Sequence, residues 1–283
     1  MSSLADLPTR DLEARVGEAV TAIRARDERR PRVALTLGSG LGGVVDALDG
    51  ATTFATSELP HWPRSTVSGH AGRLAIGRLA GVDVVALAGR SHRYEGYTLD
   101  RVTFGVRVMR ALGAETMIFT NAVGALNPEF APGDLMLASD HLNFIGRRGL
   151  FTPAELVERR AGRRVADYYD RDLQHDLLAA AARAGVRLRR GTLMGGHGPS
   201  YETASEVRMG TALGADVACM STVHEVTLAA ELGARTASLS CITNQATGLS
   251  RVPLTHHEVT EVADRVAGRL RAVLEAYLAG PPA

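Results

Sequence analysis

The sequence predicts an α/β protein in which helices flank a single mixed β-sheet. Apolar runs of strand length alternate along the chain with longer segments in which apolar residues recur at helical spacing. Several apolar runs end in polar, glycine-rich segments, as strands do around a ligand site at the edge of an α/β sheet. Because no repeat, low-complexity tract or change in composition marks a linker, residues 1–283 are predicted to form a single domain.

The elements of the first half of the chain follow from periodicity and turn residues. A helix is predicted where Leu12, Val16 and Val20 recur at helical spacing, and a β-hairpin where Ala80 and Gly81 join two apolar runs. In chain order the predicted elements are helix Arg10–Arg26, strand Val33–Leu37, hairpin strands Leu74–Leu79 and Val82–Ala88, helix Leu99–Leu112, and strands Thr116–Asn121 and Leu135–Ala138.

The second half of the chain continues the alternation. Gly146–Arg164 is rich in arginine and glycine and is predicted to be a mobile loop. The elements predicted after it are helix Asp170–Ala184, strand Val186–Met194, helix Thr203–Leu213, strand Val217–Met220, helix Val223–Leu232, strand Thr236–Thr243 and a terminal helix from about His256 to Leu278.

Composition excludes several kinds of site. All 32 lysine-plus-arginine positions are arginine, which excludes a Schiff-base lysine, a lysine general base and a phosphate-loop lysine. The formal net charge of +1 gives no reason to expect nucleic acid as a partner. Cys219 and Cys241 lie in apolar runs and are predicted to be buried, and no metal-ligand spacing is found. Without a membrane-spanning apolar run or a signal-peptide core, a cytoplasmic protein with no membrane partner is expected.

A glycine loop, Gly38-Ser-Gly-Leu-Gly-Gly43, follows the first predicted strand and fits the G-x-G-x-x-G motif of dinucleotide-binding folds. That motif requires a crossover helix, but the helical stretch after the loop is interrupted by Asp49 and Gly50. Glu58 lies near the distance of the ribose-binding acid, yet it precedes a proline-containing segment that cannot complete a central strand. A nicotinamide dehydrogenase is therefore disfavoured, although the loop N–H groups and the Ser39 hydroxyl remain suited to an anion.

Two further strands end in polar groups. Arg90 and His92 follow the strand Val82–Ala88 and stand two residues apart, so they lie on the same side of an extended segment and can clamp a phosphate. A surface turn is the alternative for this segment. Asn121–Gly124 follows the next strand, where simple turn chemistry is the alternative.

Gly198–Glu206 and Cys219–Thr222 bring an aromatic ring, a carboxylate, a thioether and hydroxyls to the connections around one predicted strand. Glu202 stands at the start of a predicted helix. An acid there either faces a ligand or caps the helix, with Thr203 or Ser205 as accessory caps. These residues alone leave both alternatives open.

Seven segments of the chain, in order, resemble those of the trimeric purine nucleoside phosphorylases. They are Gly38–Gly43, Pro63–Val67 with Gly69–Gly72, His92–Tyr97, Thr120–Ala122, Gly198–Thr203, Met220–Thr222 and Ile242–Asn244. The resemblance runs from about Val33 into the terminal helix. One such motif is weak, but seven in order indicate the family and imply its fold.

The resemblance implies phosphorolysis, in which phosphate attacks C1′ of a purine (deoxy)ribonucleoside and releases the base and a sugar 1-phosphate. It implies a homotrimer that needs no metal or other cofactor, with inorganic phosphate as a co-substrate. Asn244, Glu202 and His92 are the residues expected to act in catalysis. By family pattern, phosphate is bound by Ser39, His70, Arg90, His92, the backbone of Ala122 and Ser221, ribose by Tyr94, Tyr201, Met220 and His256, and the base by Glu202 and Asn244.

The two base-binding residues imply a preference for 6-oxopurines. An ionised Glu202 accepts a hydrogen bond from N1–H of hypoxanthine or guanine, whereas N1 of adenine presents a lone pair. The Asn244 amide can donate to N7 or O6 as charge develops on the departing base. Inosine and guanosine are therefore the expected substrates.

The chain departs from the family pattern at four positions, Val123, Ala125, His197 and Gln245. These departures bear on specificity and rate rather than on the class of reaction. Phe151 is the candidate for the aromatic residue that relatives contribute to a neighbouring subunit's site. A non-catalytic nucleoside-binding protein and a nucleosidase that uses water are the other hypotheses, and the retained phosphate-binding residues argue against both.

Overall fold

Nine strands form one mixed sheet in the computed structural model, which describes residues 9–67, 72–146, 167–249 and 256–281, with residues 9, 10 and 256–260 described by their backbone alone. Parallel and antiparallel neighbours both occur, as predicted, in the order β2-β3-β4-β1-β5-β8-β7-β6-β9. The strands are β1 (Val33–Leu37), β2 (Asp49–Ala55), β3 (Arg73–Leu79), β4 (Val82–Ala88), β5 (Thr116–Ala125), β6 (Leu135–Asn143), β7 (Leu188–Gly195), β8 (Val217–Cys219) and β9 (Arg235–Gln245).

The sheet closes on itself at one side, because β9 pairs with β5 as well as with β6. The long strand β5 pairs with three strands. It pairs with β9 along its length, its first residues pair with β1, and its last two, Gly124 and Ala125, pair with β8. β4, β1, β5 and β9 run parallel to one another. Their carboxyl ends therefore meet at one edge, which is where ligands bind in open α/β sheets.

Helices cover both faces of the sheet. α1, α3 and α6 pack on one face through a buried cluster that includes Ile23, Met109 and Val226. α4 and α7 pack on the other face through Leu173 and Leu270. None of the helices in the described residues is long and apolar enough to span a membrane. The helices are α1 (Thr9–Arg24), α2 (Leu99–Val102), α3 (Phe104–Leu112), α4 (Arg171–Arg183), α5 (Ala204–Ala212), α6 (Val223–Glu231) and α7 (His256–Leu278).

The chain after the glycine loop does not form the crossover of a dinucleotide-binding fold. A 3-10 helix over Gly42–Ala47 leads directly into β2, which pairs antiparallel with β3 at the edge of the sheet. Residues 33–67 are all described, and no α-helix lies among them. The dehydrogenase alternative is therefore excluded by topology.

Two features of the first half differ from the sequence prediction. Strand β2 was not predicted, because Phe54 is its one buried residue and an exposed edge strand carries no apolar alternation. The single helix predicted over Leu99–Leu112 is interrupted at Thr103, whose hydroxyl donates to the Leu99 carbonyl at 2.7 Å. A hydroxyl that hydrogen-bonds back into its own turn commonly bends a helix.

The other strands and helices agree with prediction to within a few residues, apart from the carboxyl ends of β5 and β6. These strands continue to Ala125 and Asn143, because the residues beyond the predicted ends still pair with β9 and β7. The loop predicted over Gly146–Arg164 lies outside the described residues after Gly146. The mixed sheet flanked by helices is confirmed.

Candidate active site

A cavity of about 410 Å³ opens at the edge where β1, β4, β5 and β9 end. Every predicted site residue whose side chain is described lines it, namely Ser39, Arg90, His92, Tyr94, Ala122, Tyr201, Glu202, Met220, Ser221 and Asn244. His70, Phe151 and the side chain of His256 lie outside the described residues. Groups that are far apart in the chain are thus brought to one place by the ends of the parallel strands and by the segments that follow β7 and β8.

Arg90 is anchored at one end of this cavity by contacts on all three nitrogens of its guanidinium. Nη2 donates to the Thr120 carbonyl at 2.8 Å, and Nη1 donates to Ser221 Oγ at 3.2 Å. Nε lies 3.2 Å from Oε2 of Glu225. Arg90 and His92 are only 6% and 8% exposed, so the surface-turn alternative for this segment is excluded.

The glycine loop approaches β5 closely beside Arg90. The Gly38 N–H donates to Thr120 Oγ1 at 3.1 Å. A Cβ at Gly38 would lie 2.9 Å from the Thr120 carbonyl oxygen and from Asn121 Cα, so only glycine fits. The same position is 3.4 Å from Arg90 Nη1. The loop therefore carries Ser39 to the end of the cavity that holds Arg90.

Ser221 is presented by a tight γ-turn. The Val223 N–H donates to the Ser221 carbonyl at 2.7 Å across Thr222, which has φ 69° and ψ −51°. Such a backbone is strained for a β-branched residue. Asn121 Nδ2 donates to Thr222 Oγ1 at 3.0 Å, and that oxygen lies 3.1 Å from Ser221 Oγ. Side-chain contacts thus hold the strained turn and direct the Ser221 hydroxyl.

His92 is oriented by Glu95 and by Tyr94. The His92 backbone N–H donates to Glu95 Oε1 at 2.6 Å, and its ring Nδ1 lies 3.3 Å from the same oxygen. The other carboxylate oxygen accepts from the Thr66 hydroxyl at 2.8 Å. The imidazole stacks on the Tyr94 ring at 4.8 Å between centroids. Because its ring is held in a fixed orientation, the His92 imidazole is suited to donate a hydrogen bond to an anion.

Charges at this end of the cavity are compensated from within the protein. Glu225 is fully buried; burial raises its pKa, and the charge of Arg90 acts in the opposite direction. Burial lowers the pKa of the neighbouring His224 to about 3, with the charge of Arg90 contributing, so this imidazole is neutral.

Cys219 and Cys241 are buried and free, as predicted, and burial raises the pKa of Cys219 to about 12.

Glu202 faces the cavity and does not cap helix α5. The cap is Thr203, whose hydroxyl accepts from the Glu206 N–H at 3.2 Å. The Glu206 carboxylate accepts in turn from the Thr203 N–H at 2.7 Å. Burial raises the pKa of Glu202. The capping alternative is therefore excluded, and the carboxylate is available to a ligand.

Asn244 stands where β9 approaches the end of β5. Its Oδ1 accepts from the Thr243 hydroxyl at 2.9 Å, and its Nδ2 donates to the Gln245 carbonyl at 3.0 Å. A Cβ at Gly124 would lie 3.1 Å from Nδ2. These contacts fix the amide against the backbone of β5, with the side chain still lining the cavity.

Tyr94 and Met220 meet the loop between β7 and α5. Gly198 has φ 68°, and a Cβ there would lie 2.5 Å from Met220 Sδ and 3.0 Å from the Tyr94 ring. Glycine therefore permits this loop to approach both side chains. Burial, with the charge of Glu95 adding to it, raises the pKa of Tyr94 to about 12, so the phenol is protonated. Tyr201, on the same loop, is 46% exposed.

One of the four departures from the family pattern lines the cavity, and the other three do not. Val123 lines the cavity, and its carbonyl accepts from the Thr243 hydroxyl at 3.2 Å. Ala125 is fully buried beneath it. The exposed His197 does not line the cavity, and neither does Gln245.

Sequence reasoning assigned no role to four residues that organise the site: Glu95, Thr222, Glu225 and Thr243. Glu225 carried a usable signal, because an acid between Val223 and Val226 in the first turn of α6 has to find a buried partner. The positive φ of Thr222 could not be predicted from its residue type, because β-branched residues rarely adopt a positive φ. In the ranges that the structure describes, no cluster of His, Cys, Asp and Glu could hold a metal ion.

Comparison with known proteins points in one direction. The family model described as "Phosphorylase superfamily" matches residues 32–279. Purine nucleoside phosphorylase 1 of Bacillus subtilis (strain 168) is 40% identical over 263 residues, which cover 93% of this chain and 97% of the relative.

Solved structures agree. A schistosoma purine nucleoside phosphorylase in complex with hypoxanthine matches with a TM-score of 0.85 and 30% identity, over 95% of this chain and 97% of that one. Isoform 2 of the Schistosoma mansoni enzyme, in complex with cytosine and ribose-1-phosphate, matches with a TM-score of 0.86 at 30% identity and the same coverage. The fold is that of the nucleoside phosphorylases.

Proposed function

The chain belongs to the phosphorylase superfamily, and we propose that it is a purine nucleoside phosphorylase acting on 6-oxopurine (deoxy)ribonucleosides. The reaction is the reversible conversion of inosine or guanosine and phosphate to the free base and (deoxy)ribose 1-phosphate. One observation carries the proposal. A single cavity has a cluster of groups suited to an anion around Arg90 and Ser221, and it also holds a half-buried carboxylate and an amide, Glu202 and Asn244.

Phosphate occupies the end of the cavity that holds Arg90. Ser39, Ser221, His92 and the backbone of Ala122, which all line the cavity, are assigned to phosphate with His70 by family resemblance. An oxygen of the phosphate attacks C1′ as the bond from C1′ to N9 breaks, and the electron pair of that bond passes to the purine. Because phosphate is itself the nucleophile, the protein positions the reactants and stabilises charge.

Ribose lies between phosphate and base. Tyr94, Met220 and Tyr201 provide apolar surface and hydroxyl groups on this part of the cavity, and His256 is assigned to the 5′-hydroxyl by family resemblance. The transition state resembles an oxocarbenium ion, as in other glycosyl transfers. A phosphate anion on one side of the sugar and a neutralised purine on the other both stabilise that state.

The base is recognised by Glu202 and Asn244. The Glu202 carboxylate accepts from N1–H of a 6-oxopurine, and the Asn244 amide donates to N7 or O6 as negative charge develops on the leaving base. Adenine offers no N1–H, so the half-buried Glu202 acceptor would be left unpaired against it. A mismatch of this kind discriminates strongly between substrates.

Assembly and location complete the proposal. A homotrimer and a cytoplasmic location follow from the family resemblance and from the sequence. The same resemblance implies that phosphate is a co-substrate and that no cofactor is needed. Light scattering of the purified protein tests the trimer, and a stable, active monomer would contradict it.

The proposed function is tested by initial rates with inosine, guanosine and adenosine at increasing concentrations of inorganic phosphate. We expect turnover of inosine and guanosine to require phosphate, and adenosine to react poorly or not at all. Equal turnover in phosphate-free buffer would indicate a nucleosidase. Adenosine as the best substrate would contradict the assigned base recognition. Binding of inosine without any turnover would indicate a nucleoside-binding protein.

A further inference from the structure

Helix α6 carries two buried acids with different surroundings. Glu225 is 2% exposed and lies in the first turn, and Glu231 is 1% exposed and lies at the last residue. Their α-carbons are separated by six residues, or about 9 Å along the helix axis. Glu225 reaches toward the cavity end of the sheet and contacts Arg90, whereas Glu231 lies at the far end of the helix.

The Glu225 carboxylate fixes the plane of the Arg90 guanidinium. Oε2 lies 3.2 Å from Nε, and both side chains are 3% exposed. The Thr120 carbonyl holds Nη2 from β5. Because these two contacts engage different nitrogens of a rigid planar group, they direct Nη1 toward Ser221 and the glycine loop.

The same carboxylate is linked to the turn that presents Ser221. Thr222, the central residue of the γ-turn, is the N-cap of α6, and Glu225 is the third residue of that helix. Glu225 therefore lies behind both Arg90 and the Ser221 turn. It does not itself line the cavity.

We infer that Glu225 is the positioning residue of the phosphate site: it holds the Arg90 guanidinium and the Ser221 turn in the geometry that receives phosphate, without touching phosphate. This inference rests on the proposed function. Two other roles are distinguishable from it. An acid in the first turn of a helix stabilises that helix whatever lies nearby. A negative charge behind Arg90 also repels a bound anion.

Four variants separate these roles. Glu225→Gln keeps an oxygen of the same reach beside Nε and removes the charge. Glu225→Asp keeps the charge and withdraws it from Nε by one methylene, and Glu225→Ala removes both. Glu231→Gln is the matched control, since it neutralises an equally buried acid on the same helix away from the phosphate site. For each variant we would measure KM for phosphate and for inosine, kcat, thermal stability, and calorimetric binding of inorganic phosphate.

A positioning role predicts a selective effect on phosphate. Glu225→Ala should raise KM for phosphate about tenfold or more, and Glu225→Asp about threefold or more, with KM for inosine within about twofold of wild type. Glu225→Gln should raise KM for phosphate by less than Glu225→Asp does, because its amide oxygen keeps the reach of the carboxylate toward Arg90 Nε. Glu231→Gln should leave KM for phosphate unchanged whatever its effect on thermal stability, because Glu231 lies at the far end of α6.

Other outcomes overturn the inference. An unchanged KM for phosphate in folded Glu225→Ala or Glu225→Asp means that Glu225 only stabilises helix α6 and does not position the phosphate site. A lower KM for phosphate in both Glu225→Gln and Glu225→Ala means that charge repulsion dominates. If Glu225→Ala does not fold, the comparison of Glu225→Asp with Glu225→Gln decides. Calorimetric phosphate binding that depends on Glu225, without phosphate-dependent turnover in wild type, would refute the proposed function and support this inference. Phosphate-dependent turnover that is unchanged in the Glu225 variants would support the proposed function and refute this inference.

Discussion

The two ends of the cavity are built differently. At the phosphate end, Arg90, His92 and Ser221 are each less than a tenth exposed, and each contacts other side chains or backbone of the protein. At the base end, Glu202 and Asn244 are half-buried and Tyr201 is nearly half exposed. The first end is a network that crosses several strands and a helix. The second depends on one loop and one strand end.

This difference matches what each end has to do. Donors that stabilise an anion work best when they are fixed before the anion arrives, because no reorganisation is then needed during the reaction. Base recognition depends instead on a match between a few donors and acceptors. We therefore expect substitutions at the phosphate end to affect stability and phosphate binding together. Substitutions at the base end should change specificity with little effect on stability.

The largest effect is expected for Arg90→Ala. Loss of a charge-assisted contact should raise KM for phosphate by about tenfold to a hundredfold, or about 1.5–3 kcal/mol. The free energy of unfolding should also fall by about 3–5 kcal/mol, because Glu225 is left buried without its partner. Denaturant unfolding and phosphate-dependent kinetics measure the two effects.

The double variant Arg90→Ala with Glu225→Gln sharpens this prediction. Removing the stranded charge should restore part of the stability without restoring phosphate binding. If Arg90→Ala folds and keeps the phosphate dependence of wild type, Arg90 does not bind phosphate. The proposed difference between the two ends of the cavity would then be wrong.

At the base end, Asn244 should control turnover and base preference. Asn244→Ala should lower kcat for inosine more than it weakens inosine binding, which marks an interaction that strengthens in the transition state. Asn244→Asp should raise adenosine activity relative to inosine, because a protonated carboxyl can donate to N7 and tolerate a 6-amino group. Efficiency ratios and melting temperatures are the measurements.

The contacts of Asn244 with Thr243 and Gln245 give the competing explanation a physical basis, since they also stabilise the strand end. If both substitutions lower the melting temperature and leave the adenosine-to-inosine ratio unaltered, Asn244 serves the turn and its base-binding role is wrong.

Acidification should affect the base end through Glu202. Burial raises the pKa of this carboxyl, so it takes up a proton at a higher pH than an ordinary glutamate. The ionised form is the stronger acceptor for N1–H, so kcat/KM for inosine should fall as the pH is lowered through that raised pKa and recover above it. In Glu202→Gln the efficiency should be low and this acid limb absent. An identical acid limb in that variant would assign the titration to another group.

The smallest effect is expected for Thr203→Ala, next to Glu202. Loss of the capping box of α5 should lower the free energy of unfolding by about 1 kcal/mol and the melting temperature by about 2–4 °C. Base preference should stay as in wild type, since capping and base recognition are carried by adjacent but separate residues. A changed preference would show that the helix start and the base site are coupled.

Sequence predicted the two ends of the site unequally well. Ser39 and Arg90 could be flagged because each follows an apolar run that ends in glycine, and that pattern is local. Glu202 remained ambiguous between a cap and a ligand until Thr203 and Glu206 were found to close the capping box. Only the resemblance assigned Asn244 to the base.

The residues that support the phosphate end could not be predicted from local sequence patterns. Glu225 pairs with a residue from a distant part of the chain, so its role depends on how α6 packs against the sheet. The positive φ of Thr222 depends on contacts with Asn121 and Ser221, which no neighbouring residue encodes. Strand β2 was missed for a similar reason, because it pairs at an exposed edge and buries little.

The most direct test of the account follows the sugar product by ³¹P NMR while the protein converts inosine in the presence of inorganic phosphate. If the end of the cavity around Arg90 holds the nucleophile, loss of the phosphate signal should match the appearance of ribose 1-phosphate and the release of hypoxanthine, one to one. Release of hypoxanthine with free ribose and an unchanged phosphate signal would contradict the account, because water rather than phosphate would then have attacked C1′.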